Sequence, residues 1–183
     1  SFTFTYDLQC DNAFVTSNWV GPDYAVLTGP ATFVSVVGEL ERPCQVAVDL
    51  PLGWKRIATG LSLVVPDHVF TAPNYDVLVD CPIAAGNFDV RSFEVAGSRH
   101  EVVSLGALGE WDPQRATNDM SKFVAETRRV WGELPYSHYV FFLHLRPGGG
   151  GLEHQNSTLI TWNPRGGVSG PAEFFAKGAA MTR

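Results

Sequence analysis

Apolar and polar positions follow two different rhythms along this 183-residue chain. Over residues 1–110 the apolar runs are short, rich in β-branched and aromatic residues, and cut by turn residues, which predicts strands and turns. Phe2, Phe4 and Tyr6 alternate with Thr3 and Thr5, and that two-residue period predicts a strand. Ala31 to Val37, Cys44 to Leu50, and the residues around Val64, Val65 and Phe70 are further strand-like runs. Pro51-Leu52-Gly53-Trp54 reads as a turn, and Val77-Leu78-Val79 as an apolar run ahead of Asp80-Cys81-Pro82-Ile83. Phe88 to Val95 and Glu101 to Leu105 predict a hairpin closed through Ala96-Gly97-Ser98.

The rhythm changes near Trp111. Asp112-Pro113 predicts a helix start, with the Asp as N-cap and the Pro at the first helical position. Met120, Phe123, Val124, Thr127, Val130 and Trp131 recur at helical spacing as one apolar face, and Gly132 ends it. Tyr136 to Leu145 predicts a buried strand, and Ser157 to Trp162 another, with four glycines between them at Gly148 to Gly151. The expected fold is mainly β with some α (α+β), divided into a β-rich part, residues 1–110, and a helix–strand–loop–strand part, residues 111–183. The tail from Asn163 is rich in Gly, Ala and Pro, with a short helix expected from about Pro171 to Ala180.

Composition narrows the function classes. A chain that is 45% hydrophobic and 17% charged can bury a core. The net charge of -6 argues against nucleic acid or an acidic membrane surface as partner, and no apolar run reaches membrane-spanning length. The odd count and wide spacing of Cys10, Cys44 and Cys81 do not read as a disulfide framework or a zinc ribbon. Buried free thiols are expected, with one disulfide plus one free thiol left open. The histidines offer no His-Glu-x-x-His: His100-Glu101-Val102-Val103-Ser104 carries Ser where the second His would stand. His100 therefore reads as an ordinary surface residue on a strand. His138 and His144, six residues apart, share one face of a strand and read as partly buried sheet residues, with a ligand role for one of them left open. No Gly-x-Ser-x-Gly elbow supports a serine nucleophile, and nothing near Cys81 would lower its pKa.

The stretch Gly148-Gly149-Gly150-Gly151-Leu152-Glu153-His154 is the one with chemical promise. Glycine lets a backbone approach a ligand closely, and consecutive glycine amides can bind substrate atoms. An ionised Glu153 can accept hydrogen bonds from a cationic group such as a free amine. No Gly-Lys-Ser/Thr closes the run, so it is not a phosphate loop. The same composition also fits a flexible surface loop with a solvated acid and histidine.

Gly150-Gly151-Leu152-Glu153-His154, followed by Ser157-Thr158, resembles the GGLEH signature of the glycyl aminopeptidase family, zinc metallopeptidases that commonly carry a C-terminal PDZ domain. Three further segments, in order, resemble that family: Pro51-Leu52-Gly53-Trp54, Tyr75 to Gly86, and Trp131 to Tyr139. The resemblance implies a β-sandwich or saddle-like N-terminal domain, incomplete at its start, followed by the first helix and strands of a thermolysin-like catalytic domain. It implies an edge strand lining a substrate cleft. There Gly150, Gly151 and Leu152 would give backbone contacts, Glu153 would anchor the substrate's free α-amine in a partly dry setting, and His154 would complete the substrate-binding set.

The implied activity is removal of small N-terminal residues, Gly or Ala, from peptides. Zinc-bound water would act as nucleophile and a motif Glu as general base. The family's zinc site lies C-terminal to the signature, so neither a catalytic residue nor a metal ligand is expected within this chain, which reads as a fragment or truncated member, silent by itself. Ala172-Glu173-Phe174-Phe175-Ala176 echoes the zinc motif with both histidines replaced. The implied partner is a peptide with a free N-terminus, and exposed sheet edges would allow homo-oligomers by strand pairing. The implied setting is bacterial, cytoplasmic or periplasmic. The alternative is a non-catalytic peptide-binding module using the same glycine-rich edge strand.

Overall fold

The computed structural model describes residues 2–64, 68–106 and 111–163. The protein is mainly β with some α: three sheets and three helices among the described residues. The chain divides into two compact units, Ser1–Asn87 and Phe88–Arg183.

The first unit holds two antiparallel sheets. Strands β1 (Trp19–Val20), β2 (Tyr24–Leu27), β4 (Arg56–Thr59) and β7 (Ile83–Gly86) form one, in the order β1-β2-β7-β4. Strands β3 (Cys44–Ala47), β5 (Ser62–Val64) and β6 (Val69–Ala72) form the other, in the order β3-β6-β5. One core joins them: Phe70 and Ala72 from β6, Ile83 from β7, and Leu78 and Cys81 from helix α2 (Tyr75–Asp80) and its end. A shared core between two sheets is what a sandwich-like arrangement requires. Helix α1 (Gly29–Thr32) lies against α2 so closely that a Cβ on Gly29 would fall 2.1 Å from the Val79 carbonyl oxygen. Buried Asn18 ties the β1–α1 segment together: its Oδ1 accepts from the Thr28 N–H at 2.9 Å, and its Nδ2 donates to the Ala31 carbonyl at 3.0 Å.

Several local expectations change here. Phe2, Phe4 and Tyr6 form no strand, and Phe2 and Phe4 are largely exposed. Alternation gives a two-sided ribbon, but a strand also needs a hydrogen-bonding neighbour, and among the described residues no strand pairs with this segment. Ala31 to Val37 is the end of α1 followed by irregular chain rather than a strand. Val77-Leu78-Val79 lies in helix α2. The Asn74 side chain caps it by accepting from the Val77 N–H at 3.0 Å, a signal legible in sequence as Asn ahead of the run.

The second unit is one five-stranded sheet with a helix. Strands β8 (Asp89–Val95), β9 (Ser98–Leu105), β10 (His138–Leu145), β11 (Gly150–Glu153) and β12 (Ser157–Trp162) lie in the order β11-β12-β10-β9-β8. The pair β8–β9 is the expected hairpin. Ala96 and Gly97 both take positive φ, 54° and 82°, as a two-residue hairpin turn of that hand requires. β10 runs parallel to both β9 and β12. A parallel neighbour needs a crossover, and helix α3 (Pro113–Trp131) lies in the β9–β10 connection. β8 and β9 thus belong to the sheet of the second unit, and the change of rhythm near Trp111 marks the crossover helix inside that unit.

The ends of α3 are built as the sequence predicts. The Asp112 carboxylate accepts from the Gln114 and Arg115 N–H groups, both at 3.0 Å, and Gly132 closes the helix with φ 88°. Ala116, Met120 and Val124 of α3 pack against Val102, Phe141, Leu143, Leu145, Ile160 and Trp162. The predicted stripe runs further than the packing does: Val130 and Trp131 are 69% and 78% exposed. Every residue of β12, and β10 from Val140 onward, is buried, so these two central strands are covered on both faces. The tail helix expected near Pro171 and the Ala172–Ala176 echo fall outside the described residues.

Candidate functional site

β11 is one edge of the five-stranded sheet, bonded to β12 alone within it. Its register pairs Gly150 with Thr161, Gly151 with Ile160, Leu152 with Leu159 and Glu153 with Thr158. Just past the strand, the His154 N–H donates to the Ser157 carbonyl at 2.9 Å. Backbone groups alternate sides along an antiparallel ladder, so Gly150, Leu152 and His154 turn theirs toward β12. Gly151 and Glu153 turn their N–H and C=O groups to the open edge. All five residues singled out in the sequence are thereby placed. Gly151 and Glu153 face outward through their backbones, and Leu152 pairs with apolar Leu159. Gly150 and His154 close the two ends of the ladder.

The glycines are not equivalent. Gly148 and Gly150 have φ of 121° and 150°, a region that L side chains rarely adopt, so the backbone itself demands glycine there. A Cβ on Gly149 would meet nothing within 4 Å, so no steric reason requires glycine at that position.

Glu153 is exposed, and its side chain lies on the sheet face that carries Thr158, Ile160 and Trp162. No described residue provides the partly dry setting that the family resemblance implies. A carboxylate in that position can still receive an ammonium group, at the modest strength of a solvated ion pair.

His100, His138, His144 and Cys81 are held in packed or hydrogen-bonded settings within their own units. His100 is fully buried, not a surface residue. It stacks on Phe93 with ring centroids 4.7 Å apart and planes 3° from parallel, and its Nε2 lies 3.4 Å from the Tyr136 hydroxyl. Burial holds its pKa below the ordinary histidine value. The sequence signal for this was present: His100, Val102 and Ser104 alternate on one face of β9, and all three are buried. His138 meets Glu101, Nε2 to Oε2 at 3.2 Å, and Arg99 reaches the other carboxylate oxygen at 2.7 Å. That pair was not visible in sequence, because it forms between parallel neighbouring strands far apart in the chain. The His138 hydrogen bond, with help from Arg99 and against the effect of burial, holds the Glu101 carboxyl below its usual range. His144 is buried, and desolvation aided by Arg146 pushes its pKa down to about 4. Burial and Asp80 push the Cys81 thiol up to about 12, which makes it unreactive, and none of the three cysteines is in a disulfide.

Two of the segments that resemble the aminopeptidase family, Tyr75 to Gly86 and Trp131 to Tyr139, help hold the scaffold. In Tyr75 to Gly86, the Tyr75 hydroxyl donates to the Phe33 carbonyl at 2.8 Å, and Ala84 and Ala85 are buried in β7. Gly86 has φ 139° and sits where a Cβ would come within 2.4 Å of the Asp23 carbonyl. In Trp131 to Tyr139, Gly132 caps α3 and the Tyr139 hydroxyl donates to the Ser157 carbonyl at 2.9 Å, bracing the β11–β12 turn.

Among the described residues no group of three or more His, Cys, Asp or Glu is placed to hold a metal ion, so their donor set does not fit a zinc centre. No described helix is long and apolar enough to cross a membrane.

Comparison with curated proteins gives no match. Among solved structures, the chain is similar to an aminopeptidase N family protein from Idiomarina loihiensis, at 28% identity and a TM-score of 0.75, over 82% of this chain and 27% of that one. This chain therefore spans about a quarter of the length of that relative. Residues 1–87 match the model of the Peptidase M61 N-terminal domain, which with the structural likeness supports an M61 or aminopeptidase-like relationship for this chain.

Proposed function

We propose that this chain supplies the peptide-docking edge of a zinc aminopeptidase of the glycyl aminopeptidase type, with β11 receiving the free N-terminus of an extended peptide. The observation that carries the reading is the edge itself. β11 turns the N–H and C=O groups of Gly151 and Glu153 away from β12, beside an exposed carboxylate. A strand with unpaired outward groups adds another strand through main-chain bonds, and those bonds read no side chain. Glu153 adds the sequence-independent feature that marks a chain end, a positive α-amine. Gly150, Gly151 and Leu152 supply backbone, and His154 holds the end of the strand. The likeness of residues 1–87 to a peptidase N-terminal domain agrees with this reading.

Zinc belongs, in this reading, to parts of a longer enzyme, and no described residue is assigned to it. A non-catalytic peptide-binding module would use the same edge. Zinc content and turnover of glycyl-p-nitroanilide separate the two.

The test is a binding titration with a short Gly-Ala-rich peptide and its N-acetylated twin, on the wild type and on Glu153→Gln. An exposed ion pair contributes about 1 kcal/mol at most, so the wild type should favour the free amine by about fivefold, and Glu153→Gln should erase that preference. Equal affinity for both peptides in the wild type would sink the reading.

A further inference from the structure

We infer that Thr158 is a positioning residue for the amine-reading end of β11, an inference that rests on the function proposed above. Thr158 stands directly opposite Glu153 in the β11–β12 register and is 4% exposed. Its hydroxyl donates to the Leu152 carbonyl at 3.2 Å, although the ladder already turns that carbonyl toward β12. A carbonyl oxygen has two lone pairs, so the hydroxyl is an additional tether on an acceptor already engaged by the sheet.

The consequence lies across the peptide plane. The Leu152 C=O and the Glu153 N–H belong to one planar trans unit and point in opposite directions. Pinning the carbonyl toward β12 aims the Glu153 N–H at the open edge, and fixes the plane from which the Glu153 Cα–Cβ bond departs. The strand otherwise needs such a tether. It is four residues long, it opens on a glycine with φ 150°, and it has one neighbour in its sheet. Thr158 therefore sets the direction of both groups that would meet the peptide terminus, the amide and the carboxylate, while touching neither the peptide nor solvent.

The decisive substitution is Thr158→Val, which keeps the shape and removes the hydroxyl, with Thr158→Ser as the conservative rescue. The readout is the ratio of affinities for the free-amine peptide and its N-acetylated twin, measured on the 183-residue chain well below its melting temperature. A loss of folded protein lowers both affinities alike and leaves the ratio unchanged, so the ratio isolates positioning from stability. The wild type should show a ratio of about five, Thr158→Val a ratio below about two, and Thr158→Ser the wild-type value. A wild-type preference that survives in Thr158→Val overturns this inference alone. A wild-type ratio of one overturns the proposed amine site, and this inference with it.

Discussion

The two edges of the five-stranded sheet are built on opposite plans. β8 is seven residues long, and on it Arg91 bonds Asp89 at 3.0 Å and reaches Gln114 of α3 at 2.8 Å. Charged side chains and a tie to the neighbouring helix are how proteins close an edge to further pairing. β11 is four residues long, begins with two glycines, and carries one acid. Among the described residues β12 is the one strand that pairs with it. The two edges therefore differ in length, charge and glycine content, and that difference is what the docking proposal builds on.

That contrast can be strained in graded ways. The largest effect should come from the strand between the edges. Phe142 is fully buried in β10, and Phe142→Ala should cost about 3–5 kcal/mol in a denaturant melt, loosening β8 and β11 together. Preserved protection at either edge would mean that the sheet is not one cooperative platform.

Acid should act next. The His144 pKa is lowered from 6.5 to about 4, so the folded state resists the proton that the unfolded chain accepts. The stability tied to neutral His144 is complete above pH 6.5 and is lost as the pH falls toward about 4, a change on the order of 3 kcal/mol. Buried His100 works in the same direction. His144→Leu should flatten the pH dependence of unfolding in that window, and an unchanged slope would assign it to other groups.

A smaller and local effect should follow from Gly150→Ala. The φ of 150° is hostile to a side chain, at a cost of about 1–3 kcal/mol, and hydrogen exchange at Leu152 and His154 should quicken while β8 stays protected. Arg91→Ala should be the mildest, within about 0.5 kcal/mol of wild type in a thermal melt and without effect on peptide affinity. Weaker peptide binding in Arg91→Ala would remove the distinction between the edges.

The sequence carried this fold unevenly, for physical reasons. The caps of α3 and the Ala96-Gly97 hairpin were legible because they depend on a few adjacent residues. Six-residue α2 was not, since it is too short for a helical period to appear, and its one local signal is the single capping residue Asn74. Phe2, Phe4 and Tyr6 misled because alternation specifies faces and not a partner, and the α3 stripe through Trp131 because periodicity does not say what covers it. At the candidate site, the glycine run and Glu153 are adjacent in sequence and so are legible there. The role of Thr158 is not, because its meaning lies in the pairing of β12 with β11.

Amide hydrogen exchange with and without a free-amine Gly-Ala peptide tests the edge contrast most directly. The account predicts new protection at the Gly151 and Glu153 N–H groups, less of it with the N-acetylated peptide, and no change along β8. Protection that is absent from β11, or equal at the two edges, would contradict it.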